Sequence, residues 1–244
     1  MARKKKVSLA HLEKEYSTTQ KGFRVLFLFG FVVMSFLYIR QIFSSFSFDF
    51  LFPFSVAFLF AVLTADFLSG VVHWAADTWG NVDWPVVGRS IIQSFRLHHV
   101  DQKGITRHDF LQTNADVAFV VFPVQLLSYL FLVYVYPSAF LFAFFGSLTI
   151  VGFFTNQIHK WAHQDTVPAF IAFLQKCGFI LSPEHHVEHH TAPYAKHYCI
   201  TFGWMNSFLL WIHFFPFMEY TITSLTGALP REDGVDETLA RLKK

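Results

Sequence analysis

Residues 50–77 read FLFPFSVAFLFAVLTADFLSGVVHWAAD. From Phe50 to about Val72 the run is apolar and long enough to cross a bilayer, which takes about 20 helical residues. Asp66 is the one ionisable side chain inside it. The run ends on His73-Trp-Ala-Ala-Asp77. Residues four apart share a helix face, so His73 and Asp77 can both reach one metal ion, or Asp77 can orient a neighbouring ligand. An interfacial histidine beside a helix-end carboxylate would look the same, so this pair decides nothing by itself. Asp66 lies two helical turns before His73 on the same face. An intramembrane carboxylate is expensive, which gives it a supporting role behind the ligands or the capping of a polar helix contact.

Three further apolar stretches span by the same rule: Phe23–Phe43, Val117–Tyr136 and Ser138–Ile158. Pro137 turns the last pair and Ser44–Asp49 the first. The composition agrees: 53% of the 244 residues are hydrophobic, 33 are Phe and only 15% are charged, against about 25% in a soluble domain. The expected fold is all-α and integral to the membrane, with four spanning helices in a domain of residues 23–230. A basic segment (1–22) and a polar tail (231–244) flank it. With the N-terminus cytoplasmic, the inner segments are 1–22, 73–116 and 159–244, and of the 19 Lys and Arg only Arg40 falls near the outer side. The positive-inside rule then puts both termini and every histidine cluster in the cytoplasm. Val167–Leu181 and Phe208–Phe217 are too short or interrupted to span and read as interfacial helices covering the site.

Other classes are excluded quickly. A net charge of +2 argues against nucleic acid, and Cys177 and Cys199 form no disulfide framework or C-x-x-C pair. The basic start Met1–Lys6 has no apolar run directly behind it, so no signal or transit peptide is expected.

Of 13 histidines, all but His11 lie between residues 73 and 213. The second cluster, Arg96-Leu-His98-His99-Val-Asp101 with Thr106-Arg-His108-Asp109, falls in the long connection between the second and third spans, read as a loop. Adjacent histidines point different ways, so His98 and His99 need not serve one metal. Asp101 and Asp109 are natural acceptors for the outer N–H of a ligating imidazole. The third cluster, His159-Lys-Trp-Ala-His163, is an i, i+4 pair at the mouth of the fourth span, level with His73 and Asp77. Asn156, one turn earlier, reads as a helix-packing residue or a partner behind the ligands. The fourth is Pro183-Glu-His185-His186-Val-Glu-His189-His190, followed by Tyr194 and His197. Clustered imidazoles repel protons and lose solvation unless a cation sits among them.

Ten histidines (73, 98, 99, 108, 159, 163, 185, 186, 189 and 190), with Asp77, exceed the three or four ligands of one zinc and imply two metals. Nitrogen ligation suits iron, copper or zinc rather than magnesium or calcium. One rival is His185-x-x-Glu188-His189, the inverted zinc-protease pattern with Glu188 as general base, which leaves the other clusters unused. A metal carrier would place ligands along the spans, whereas these sit at one end. His213 reads as incidental, as does His11.

The blocks Ala65–Gly80, Ile105–Phe110, Asn156–His163 and Tyr198–Thr201 with Gly203-Trp204 resemble the plasmanylethanolamine desaturase family and, more distantly, a plastid desaturase of phosphatidylglycerol. The resemblance covers roughly residues 60–230. It implies a vinyl-ether double bond introduced into the 1-O-alkyl chain of an ether phospholipid, an oxygen-dependent reaction at a histidine-ligated di-iron centre. The implied electron donor is cytochrome b5-like or ferredoxin-like, and the implied membrane is the endoplasmic reticulum in a eukaryote or the inner membrane in a bacterium. Tyr194 stands where animal members carry histidine, with His197 three residues on, so the ligand count near the fourth cluster departs from that pattern. Desaturation or hydroxylation of an ester-linked acyl chain is the alternative within the class.

Overall fold

A computed structural model describes residues 18–85 and 88–231. His11, most of the basic start and nearly all of the polar tail lie outside the described residues. All regular structure among those described is helical: α1 (Thr18–Ser44), α2 (Leu51–Thr78), α3 (Gln93–Val100), α4 (Gly104–Arg107), α5 (Phe110–Tyr134), α6 (Ala139–Phe153), α7 (Thr155–His163), α8 (Ala169–Lys176), α9 (Pro183–Val187), α10 (Trp204–Trp211) and α11 (Phe214–Thr226).

Four stretches are long and apolar enough to cross a membrane: Lys21–Ser44, Phe48–Thr78, Phe110–Tyr134 and Ala139–His163. Three of them run past the expected limits at the same end of the bundle, to Thr78 rather than 72, to His163 rather than 158, and from Phe110 rather than 117. The helices outlast their own hydropathy because their polar residues there face other protein. Asp109 marks the start of α5, accepting from the Gln112 amide at 2.7 Å while the Gln112 side chain accepts from the Asp109 amide at 3.0 Å. This capping box replaces the expected role of Asp109 as an acceptor for a ligand imidazole. The fourth span is not one helix: a tight turn at Phe154, whose amide bonds to the Val151 carbonyl, separates α6 from α7.

Packing within the bundle runs chiefly α2 on α6, α1 on α5 and α5 on α6. Lipid tails are as apolar as leucine, so helix association here relies on small residues and polar contacts. In α2, Ala57, Ala61 and Ala65 are buried at four-residue spacing. Gly146 of α6 lies so close to α1 that an added Cβ would stand 3.0 Å from the Tyr38 ring. The Tyr38 hydroxyl pairs with Ser128 Oγ at 2.7 Å, and Gln125 donates to Ser35 Oγ at 3.0 Å, tying α1 to α5 inside the span. Arg24 and Asp116 pair across the same two helices at the histidine-bearing end. Phe29, Phe36, Phe52 and Leu127 face outward, as lipid contact requires.

The cap is more helical than expected. Where a loop was anticipated, a π-type turn over Gly88–Ile92 leads into α3, which buries His98 and His99. The two non-spanning apolar stretches give α8 and the α10–α11 pair. Helix α8 exposes Phe170 and Phe173 and buries Ile171 and Gln175, as a helix lying at an interface does.

Across α2 runs an extended strap, residues 196–203, and one face of α2 holds it. Asp66 Oδ1 accepts from the amides of Phe202 (2.8 Å) and Gly203 (2.9 Å), and its Oδ2 from that of Met205 (2.9 Å). Ser69 Oγ accepts from the Ile200 amide at 3.0 Å. At Gly70 a Cβ would come within 2.5 Å of Cys199 Sγ and 3.2 Å of its backbone nitrogen, so only glycine lets the strap lie this close. Asp66 therefore braces the strap and touches no ligand directly, the capping alternative of the two its position allowed. Substituting Val at Gly70 should cost about 1–3 kcal/mol of stability through overpacking. Ala at Gly152, where nothing lies within 4 Å of the added Cβ, should cost nothing and can gain up to about 1 kcal/mol. Melting midpoints of the two variants in detergent check the contrast; equal midpoints would contradict the close approach at Gly70.

Candidate metal centre

Three i, i+4 pairs and two adjacent pairs, with His190 counted in one of each, meet at the end of the bundle. Helix α2 brings His73 and Asp77, α7 brings His159 and His163, and α3 brings His98 and His99. Helix α9 and the turn after it bring His186, His189 and His190. Helix α9 starts where the sequence says it should: Ser182 caps it through its hydroxyl, and Pro183 fits the first turn.

The side chains sort into two groups. His98, His159, His163, His186 and His190 offer five ring nitrogens within 4.8 Å of one another, all buried. Their Nε2 atoms face each other, His98 to His163 at 2.8 Å, His163 to His159 at 3.1 Å, His159 to His186 at 2.9 Å and His186 to His190 at 3.0 Å. The second group is His73, Asp77, His99 and His189. There Asp77 Oδ2 is shared by the Nε2 atoms of His99 (2.9 Å), His73 (3.3 Å) and His189 (3.5 Å). Both adjacent pairs are split, His98 and His190 to the first group and His99 and His189 to the second, so the two groups share a wall.

The donors fit cations. Neighbouring corners of an octahedral shell with arms of about 2.1 Å lie about 3.0 Å apart, and tetrahedral ones about 3.4 Å. The near contacts of the five-histidine group, 2.8–3.1 Å, are close to the first spacing. Hydrogen bonding alone does not explain the arrangement, since buried His73 Nε2 and Asp77 Oδ1 have no hydrogen-bond partner. The electrostatics agree. Burial, reinforced by the neighbouring His159 imidazole, holds His98 and His186 well below the ordinary imidazole range. Burial and then His189 do the same to His190. The rings are thus kept in the neutral form that binds metal.

The groups that orient these rings are backbone carbonyls of the strap. His73 Nδ1 lies 3.1 Å from the Tyr198 carbonyl and His189 Nδ1 lies 2.9 Å from that of Lys196. Each then carries its proton on Nδ1 and presents Nε2 inward. The strap can turn its carbonyls this way because Tyr194 and His197 adopt positive φ values of 63° and 59°. Sequence reasoning assigned this role to Asp101 and Asp109, and no side-chain pattern announces a carbonyl. Asp101 instead pairs with Arg107 at 2.6 Å.

The remaining candidates lie outside both groups. His108 is half-buried at the end of α4, and its carbonyl accepts from Lys160. His185 Nε2 accepts from Asn206 Nδ2 at 3.2 Å. Asn156 donates to the Thr113 carbonyl at 3.2 Å, the packing role. The Tyr194 ring stands edge-on to His99 with centroids 5.1 Å apart. His197 Nδ1 sits 3.4 Å from Glu188, which is exposed and also bound by Lys196 at 3.0 Å. Glu188 faces neither group, and His185 and His189 do not come together, so the inverted zinc-protease pattern forms no site. Lys103, not singled out beforehand, donates to the His163 carbonyl at 2.6 Å and pairs with Asp165 at 2.6 Å, bracing the end of α7.

Comparison with known proteins adds an independent finding. The family described as the lipid desaturase domain matches residues 62–233. The chain is 47% identical over 185 residues to a plasmanylethanolamine desaturase of Myxococcus xanthus, covering 76% of this chain and 66% of the relative. It is 47% identical over 181 residues to plasmanylethanolamine desaturase 1 of Mus musculus, covering 70% and 65%. Identity to fatty acid desaturase 4, chloroplastic, of Arabidopsis thaliana is 33% over 188 residues, covering 72% and 55%. The chain thus spans just under two thirds of the first two relatives and about half of the third. No solved structure matches.

The depressed imidazoles set a pH dependence for the metal-free protein. Unfolded histidines take up protons near pH 6.5, whereas folded His98, His186 and His190 refuse them until the pH is much lower. Stability is therefore intact above that value and falls as the pH drops below it. With three such groups the slope is up to about 4 kcal/mol per pH unit. Melting of the metal-free protein between pH 8 and 5 should show a plateau and then a steep loss, which bound metal displaces to lower pH. A flat profile would mean that the imidazoles are protonated in the folded state.

Proposed function

The chain belongs to the lipid desaturase family, and on that footing we propose that it introduces a vinyl-ether double bond into the sn-1 alkyl chain of an ether phospholipid. The observation that carries this reading is the pair of ligand groups sharing one wall at the end of a membrane-spanning bundle. The 47% identities to two plasmanylethanolamine desaturases favour the ether lipid as substrate.

Two irons suit the donors, one held by His98, His159, His163, His186 and His190 and the other by His73, Asp77, His99 and His189. When bound they supply the oxidant that a saturated chain demands, since no side chain can take hydrogen from an unactivated carbon. The balance is fixed: the chain loses two hydrogens, O2 takes these with two further electrons and two protons, and two waters leave. A cytochrome b5-like or ferredoxin-like donor brings the electrons, and the distribution of Lys and Arg supports a site on the cytoplasmic face. The protein's own residues perform the rest. Burial keeps His98, His186 and His190 neutral, while the Tyr198 and Lys196 carbonyls fix the rings of His73 and His189. His185 and His108 support the fold rather than the metals.

A second reading, desaturation of an ester-linked acyl chain, draws on the 33% identity to the plant relative. Lipid analysis separates the two, because vinyl ethers are acid-labile and acyl double bonds are not.

The protein purified in detergent should carry about two irons per chain, and cells supplied with ether lipid should accumulate acid-labile vinyl ethers. His163→Ala, His186→Ala and His189→Ala should each lower product at least about 100-fold while the protein still inserts. His108→Ala and His213→Ala should leave iron and product near wild type. Full activity in any two of the first three would sink the ligand assignment, and one zinc with no iron would sink the di-iron reading.

A further inference from the structure

The ring system beside the Asp77 group continues away from the metals. Tyr198, whose carbonyl orients His73, sets its own ring at a tilt against His189 and edge-on to His73, with centroids 5.1 and 5.9 Å away. It is buried. On its far side it meets Phe215 (4.8 Å), which meets Trp74 (5.5 Å), which meets Trp79 edge-on (6.3 Å). Tyr198 and Trp74 belong to one buried cluster, with Trp79 packed on its border. Next along the chain, the ring of Trp84 lies against Gly80 and is 54% exposed.

Trp74 is not a tryptophan of the membrane belt. A tryptophan of the membrane belt keeps its N–H toward headgroups and water, whereas Trp74 is 4% exposed and its Nε1–H donates to Glu219 Oε1 at 2.8 Å. A carboxylate on an indole N–H is what makes that ring easy to oxidise, because the proton has somewhere to go when the electron leaves.

We propose that Trp74, which meets Trp79 directly and reaches Tyr198 across Phe215, forms an electron relay between the Asp77 metal group and the protein surface. The relay serves when oxygen has been activated and no lipid is in place. One electron passes from the Trp74 indole, through the contact of Tyr198 with His189, to the oxidised metal, which is reduced by one. The indole proton moves to Glu219 and leaves a neutral tryptophanyl radical. A one-electron reductant at the surface, of the thiol or ascorbate class, refills it through Trp79, and the proton returns from Glu219. The relay rests on the di-iron reading, since it needs an oxidising metal. Its purpose is to spare the histidine ligands.

The test uses full-length protein in detergent, loaded with iron(II) and exposed to O2 and ascorbate without lipid. Oxidised residues are mapped by peptide mass spectrometry, and freeze-quenched samples carrying ring-deuterated tryptophan are examined by EPR. Wild type should show a tryptophan-derived radical and oxidation at Trp74 and Trp79. In Trp74→Phe the Trp79 oxidation should be lost and the damage should move to Tyr198 and His189. Glu219→Gln keeps an acceptor for the indole but no base for its proton, and should abolish the neutral radical while leaving iron content unchanged. If iron binds normally and both variants give the wild-type oxidation map and radical, the relay is overturned. Failure of the wild type to retain iron overturns the di-iron reading instead.

Discussion

The site depends on one buried carboxylate that binds no metal. Asp66 sits in mid-helix, fully buried, and holds two amides of the strap that crosses α2 and a third, that of Met205, in the first turn of α10. Each is a hydrogen bond to a carboxylate, the stronger kind, and together they offset the cost of placing that group inside the membrane span. From there one face of α2 is read in order. Asp66 and Ser69 grip the strap, Gly70 lets it close, His73 meets the carbonyl the strap delivers, and Asp77 completes the second ligand group. A single helix thus sets both the position of the metal donors and that of the backbone that aims them.

The same economy shows in the split of adjacent histidines. His98 and His99 leave α3 in different directions, as do His189 and His190 after α9, and each pair serves both groups. Two short elements therefore hold the groups at a fixed separation without a bridging residue that could flex. Five buried neutral imidazoles facing one another are unfavourable by themselves, and burial lowers the affinity of His98, His186 and His190 for protons. The fold takes on that cost to keep lone pairs free for a cation.

Much of this was legible in the sequence. Hydropathy located four spans, and two i, i+4 pairs at one depth, His73/Asp77 and His159/His163, identified the end where they meet. The divergence of neighbouring side chains on a helix meant that His98 and His99 need not serve one metal. What stayed hidden has a common cause. Helix α3 is short and polar, and it is helical because it buries His98 and His99 rather than because of any periodicity. Asp101 and Asp109 carry the residue type that orients imidazoles, yet their nearest partners, Arg107 and the start of α5, claim them. The groups that do the orienting are carbonyls, which every residue possesses. His185 is indistinguishable by spacing from its neighbours and differs only in facing Asn206.

Backbone orientation also bears on how the family tolerates change near the fourth cluster. A carbonyl ligand-orienter constrains conformation rather than side-chain identity, so the strap needs positive φ at Tyr194 and His197 more than it needs particular groups there. Asn and Asp enter that region at less cost than most residues, and β-branched ones at the highest. The Tyr194 ring packs nearly perpendicular to that of His99, a member of the second group. A histidine at that position would bring a ring nitrogen close to the second group, which already has four donors. The exchange of tyrosine for histidine would then alter the surroundings of His99, while the nine donors that define the two groups stay where α2, α3, α7 and α9 place them.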